Sequence, residues 1–209
     1  MEIYDLGRED APFVLIQPVD LRDRDSLENE YTVIRDATGV DLRLVGFKVT
    51  DWNRELSPWK APAVFGKEDF GDGAAETLNE ILRFCEDRNK TYIIGGYSLA
   101  GLFSLWAACR TDIFKGVAAA SPSVWFPGFY EYLSEQRLQS DHVYLSLGDK
   151  EAKTRNPVMA RVEERILGAN RLFSEQGADS FFEWNEGNHF KDPDLRTAKA
   201  FTWVMRRII

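Results

Sequence analysis

Ser98 lies in the string "GGYSLAG" (95–101), with Gly96 two residues before it and Ala100 two after. A β-rich run, "TYIIGG" (91–96), leads into it, and residues 99–110 follow as a run apolar nearly all round, the mark of a buried helix. A serine on so tight a strand-to-helix bend is held at strained backbone angles, and its flanks must be small. Ala100 stands where glycine is usual; alanine is still small, and Gly101 follows it. The bend lifts the hydroxyl above the strand ends and aims the backbone N–H of Leu99 at a developing oxyanion. A serine that only capped a buried helix would leave a similar string, so its partners decide the chemistry.

A hydroxyl needs a base to become a nucleophile. The chain has two histidines, His142 and His189. His142 opens the run "HVYLSLG" (142–148), which puts it at the amino end of a strand. His189 follows the last β-rich run, in the loop "NEGNHFKD" (185–192), where Gly187 lets the chain turn. His189 is therefore the expected general base. A third group should hold the imidazole in the right tautomer. After residue 148 the sequence reads "GDKEAKTRN", and Glu151, three residues past Gly148, is the favoured acid, with Asp149 second. The second oxyanion donor should come from "QPVDLRD" (17–23); Pro18 has no N–H, which leaves Val19 or Asp20. Aromatic residues crowd two loops: Trp52, Trp59, Phe65 and Phe70 in 50–73, and Trp125, Phe126 and Phe129 after the fourth strand. Trp52 and Trp125 are the expected lining of an apolar substrate pocket.

The elements that must position these groups alternate. Strands are expected at 12–18, 42–49, 91–96, 115–121, 142–148 and 179–185. Helices are expected at 25–37, 74–89, 99–110 and roughly 127–138, then from Asn156–Pro157 to Gly177, and from Asp192–Pro193 to the end. Asp25 and Glu28 suit a capping box on the first, and Gly39 a stop. Leu195, Ala198, Phe201, Met205 and Ile208 give the last helix its apolar stripe. Strands separated by helices cannot pair as hairpins, so the sheet is mostly parallel and covered on both faces. Sites in such sheets lie at the carboxyl ends of the strands. Ser98, Glu151 and His189 each follow one.

With 209 residues the chain suits a single domain, 1–209, with no room for a separate cap. The net charge of −8 and the lack of a basic stripe disfavour nucleic acid as a partner. No apolar run reaches the ~20 residues of a membrane helix, so no membrane partner is expected. The acidic opening "MEIYDLGRED" is unlike a signal peptide. Cys85 and Cys109 fall in apolar stretches and read as free buried thiols, which fits a reducing, cytoplasmic location. Two distant histidines give no metal-ligand spacing.

"IIGGYSLAGLFSLWAA", "FKGVAAASPSVWF", "YLSLGDKE" and "EGNHF" together resemble the putative-esterase family of α/β hydrolases, which includes esterase D-like and enterochelin esterases. The match runs from about 91 to 190. The resemblance implies a three-layer α/β-hydrolase fold, a central sheet of about six strands, and hydrolysis of a small-molecule ester without a cofactor. It implies Ser98 as nucleophile, His189 as base, and Glu151 or Asp149 as acid. The chain is short for that family, and the family's leading antiparallel strands are not expected in it. The same residues would also serve an acyltransferase, a thioesterase or a peptidase; a non-catalytic binding module on this scaffold is the remaining alternative.

Overall fold

The segment Phe13–Val19 is apolar on both faces. Val14 and Ile16 turn to one side and Leu15 and Val19 to the other, all fully or almost fully buried. Such a strand is stable only when helices cover it front and back. The computed structural model, which describes residues 2–21 and 24–209 (the Arg24 side chain excepted), shows that arrangement. Seven strands, β1 (Ile3–Gly7), β2 (Phe13–Val19), β3 (Leu42–Lys48), β4 (Thr91–Tyr97), β5 (Phe114–Ala120), β6 (His142–Gly148) and β7 (Asp179–Asn185), lie in the order β1-β3-β2-β4-β5-β6-β7. All adjacent pairs are parallel except β1 and β3.

Helices α1 (Arg24–Thr38), α2 (Trp52–Glu55), α3 (Ala74–Phe84), α4 (Leu99–Arg110), α5 (Phe129–Glu135), α6 (Val162–Glu175) and α7 (Pro193–Ile208) complete the layers. The cluster around Leu27 and Ile34 of α1 and Phe201, Val204 and Met205 of α7 packs on one sheet face. Ala74, Leu78 and Ile81 of α3, nearly all of α4, Phe129 and Leu133 of α5, and Ile166 and Phe173 of α6 pack on the other. Among the described residues no helix is long and apolar enough to cross a membrane.

The structure corrects several boundaries. A seventh strand, β1, precedes the six expected ones and pairs antiparallel along β3, from Ile3 opposite Phe47 to Gly7 opposite Arg43. It alternates exposed and half-buried residues, as an edge strand does, and Arg43 pairs with Asp5 across the ladder. Helix α1 begins at Arg24, so Asp25 lies in its first turn rather than at its cap; the cap position is outside the described residues. Helix α3 ends at Phe84 rather than Asn89, because the Asp87 carboxylate accepts from Asn89 N and its carbonyl from Lys90 N, folding the acidic tail into a turn. Asn156 is not the cap of α6; its Oδ1 accepts from Val158 N and Met159 N at 3.0 and 3.3 Å in a turn ahead of that helix. A 3-10 turn (159–161) with Val158 at its cap comes between, and α6 begins at Val162 with Arg161 at its cap. Helix α5 is shorter than expected, seven residues from Phe129. In α7, Leu195 is exposed, and the neighbouring Arg196 is buried instead.

Candidate active site

The bend between β4 and α4 is as sharp as its sequence implies. Ser98 has φ 56° and ψ −118°, a conformation that side chains rarely adopt. Three backbone bonds hold it there: Ser98 N donates to Ala120 O, while Leu102 N and Ser123 N donate to Ser98 O, at 3.0–3.1 Å. Gly96 explains the tolerance of Ala100. A Cβ at position 96, where φ is +152°, would lie 2.7 Å from the Ala100 Cβ. The crossing has room for one methyl group, and it is carried by residue 100. Leu99 is the first residue of α4, where helix N–H groups have no intrahelical acceptor.

His189 Nε2 lies 2.9 Å from Ser98 Oγ. His189 Nδ1 lies 2.7 Å from Glu151 Oε2. The second carboxylate oxygen, Oε1, accepts from Gly148 N at 2.7 Å, from Ser121 Oγ at 2.8 Å and from Arg196 Nη1 at 3.0 Å. Burial pushes the Glu151 carboxyl toward protonation. The His189 hydrogen bond and charge, with the Gly148 N–H and the Ser121 hydroxyl, outweigh it and hold the pKa below the usual carboxylate value. Asp149, the second candidate acid, does not face the imidazole; its Oδ1 accepts from Gly187 N at 2.6 Å and shapes the histidine loop. Gly187 turns that loop at φ +104°.

The hydroxyl, the imidazole and the carboxylate thus form one line of hydrogen bonds at the carboxyl ends of β4, β6 and β7. His142 lies at the opposite end of β6, with its Nδ1 3.3 Å from Asp179. Cys85 and Cys109 are buried, and desolvation pushes both thiols up to about 12, as in structural rather than reactive cysteines.

Ser98 and His189 open onto a cavity of about 460 Å³, whose walls include Gln17, Val19, Asp20, Trp52, Phe65 and Phe190. Trp52 stands at the start of α2. That turn is fixed by Asp51, which accepts from Arg54 N, and by Glu55 Oε1, which accepts from Thr50 N and Asp51 N. Trp125 is not part of the lining. It is buried edge-on against Phe65 at 5.8 Å, so it supports a wall of the cavity from behind. Val19 is still paired within β2, opposite Lys48, and its carbonyl accepts from Val49 N; Asp20 is the first residue past the ladder.

Four residues around this line had not been singled out from the sequence. Tyr97 donates its hydroxyl to His189 O at 2.7 Å, and burial keeps the phenol protonated by raising its pKa. Ser123 Oγ is 3.2 Å from Ser98 Oγ. Ser121, at φ 42°, reaches Glu151. Arg196 reaches Glu151 from the last helix. The available signals were the serines of "SPSVW" and a cation set inside an apolar stripe.

No protein-family model matches the chain, and no curated protein matches it significantly. Solved structures do. An IroE-like serine hydrolase from Shewanella oneidensis superposes with a TM-score of 0.73 at 13% identity, over 99% of this chain and 76% of that one. The siderophore hydrolase EstA from Aspergillus nidulans gives 0.67 at 16% identity, over 97% and 86%. The enterobactin esterase FES from Shigella flexneri gives 0.67 at 13% identity, over 99% and 56%. At such low identity the likeness is one of architecture.

Proposed function

On the α/β-hydrolase fold that this chain shares with those hydrolases, we propose that the protein is a serine hydrolase of small-molecule carboxylic esters. The observation that carries the reading is the hydrogen-bonded line Ser98–His189–Glu151, with its 2.9 and 2.7 Å links. Glu151 keeps the proton on Nδ1, so that Nε2 is free to accept from the serine hydroxyl. Ser98 Oγ attacks the ester carbonyl carbon as His189 Nε2 takes its proton. The tetrahedral oxyanion forms against the N–H of Leu99 and a second N–H from the segment Val19–Asp20. One such donor typically contributes ~3–4 kcal/mol to the transition state. His189 returns the proton to the departing alcohol, leaving an acyl-serine. Water, deprotonated by the same nitrogen, then releases the acid and regenerates Ser98.

The cavity supports an ester with an apolar portion, placed against Trp52, Phe65 and Phe190. The buried free thiols suit a reducing compartment, consistent with work in the cytoplasm. The test is Ser98→Ala, assayed with p-nitrophenyl acetate and butyrate and with a fluorophosphonate probe. Turnover should fall by on the order of 10³-fold or more, with probe labelling lost and the melting temperature little changed. Wild-type activity in that variant would overturn the reading.

A further inference from the structure

We propose that Arg196 is a positioning residue that sets the Ser98–His189–Glu151 line by clamping the acid and the histidine loop to the last helix. The proposal rests on the esterase reading above and adds to it a residue that touches none of the reacting atoms. The Arg196 side chain is 4% exposed, and that of Glu151 is 5% exposed. A charge removed so far from water is tolerated only when its donors are matched.

Here every contact leads to the site. Nη1 donates to Glu151 Oε1 and Tyr97 Oη at 3.0 Å, and to Ser121 Oγ at 3.3 Å. Nη2 donates to the carbonyls of Glu186 and Asn188, at 2.9 and 3.1 Å. One planar fork therefore joins the last residue of β4 to the segments after β5, β6 and β7.

Between β7 and α7 the histidine loop carries no helix or strand; within it Phe190 N donates to Asn188 Oδ1 and Lys191 N to Asn188 O. Its four successive carbonyls from 186 to 189 are all engaged, each by a group outside the loop. Those of residues 186 and 188 accept from Arg196, that of Gly187 from Lys150 N at 3.1 Å, and that of His189 from the Tyr97 hydroxyl. Arg196 also orients Glu151. With Oε1 held by Arg196, Ser121 and Gly148, Oε2 is the oxygen left to face His189 Nδ1. Gly148 makes the close approach possible, because a Cβ there would stand 2.9 Å from Glu151 Oε1 and 3.1 Å from Arg196 Nη1. Lysine would keep the charge but lacks a fork able to reach both groups of acceptors.

The experiment compares wild type, Arg196→Met and Arg196→Lys with p-nitrophenyl butyrate, counting folded active sites by stoichiometric fluorophosphonate labelling. Per titrated site, Arg196→Met is expected to lose about 10- to 100-fold in kcat with KM unchanged, since a small misplacement of a general base costs that much. Arg196→Lys should recover part of the loss. A side chain that only held the fold together would reduce the number of titratable sites and leave kcat per site alone; that result overturns the proposal. If Arg196→Met does not fold, Tyr97→Phe decides from the other side of the clamp. A fall in kcat of about threefold or more at constant KM supports it, and an unchanged kcat overturns it. Failure of the wild type itself to label or turn over would refute the esterase reading instead, so the two failures are distinct.

Discussion

Two carboxylates within three residues of each other answer to different partners, and the difference is one of reach. Asp149 bonds to the backbone of the histidine loop, while the longer Glu151 reaches the imidazole. The sequence ranked Glu151 above Asp149 from its spacing after Gly148, but it could not distinguish a carboxylate that orients a ring from one that shapes the loop carrying it. Glu151→Gln should lower kcat about 10²- to 10⁴-fold, because an amide no longer fixes the tautomer. Asp149→Asn, which keeps an acceptor oxygen for Gly187 N, should cost less than about tenfold. Steady-state kinetics on both variants checks the pair. Ser98 and His189 were legible because a strained nucleophile needs small neighbours and because histidines are scarce. Tyr97, Ser121, Ser123 and Arg196 were not, since each acquires its partners only when segments far apart in sequence close on one another.

Strand and helix identity followed from hydrophobic periodicity, and β6 and β7 fall on the expected residues. Boundaries moved where a local side chain captured the backbone, as Asp87 does after α3 and Asn156 before α6. The strand β1 was missed because its alternating, half-exposed residues resemble a polar terminus; its pairing with β3 is a tertiary event. The β4–α4 crossing is the element on which the chemistry turns. Gly96→Ala would place a second methyl group 2.7 Å from that of Ala100. It should destabilise the fold by about 1–3 kcal/mol, and probe labelling at Ser98 should slow even where the protein remains folded. Urea unfolding together with labelling rates tests this. Ala100→Gly, which removes the one methyl group at the crossing, is expected to leave activity within a few-fold of wild type in the same assay.

At the scale of the whole molecule, Glu151 also couples folding to pH. Its carboxyl is held below its unfolded value, so the folded state binds fewer protons. Its contribution is therefore complete above the usual carboxylate range and is lost as pH falls through the depressed value. Urea midpoints from about pH 6 down to about pH 3 should fall less steeply for Glu151→Gln than for wild type. Ser98 and His189 are separated by 91 residues and Glu151 and His189 by 38, so the line exists only after the sheet has closed. In an unravelled chain the same serine is an ordinary alcohol, indifferent to phosphonates. Cys85 and Cys109 behave in the opposite way, shielded in the native molecule and open to alkylation once it opens. A phosphonate and a maleimide applied together would therefore count complementary populations, one phosphonate for each native molecule and two maleimides for each opened one, without any engineered label.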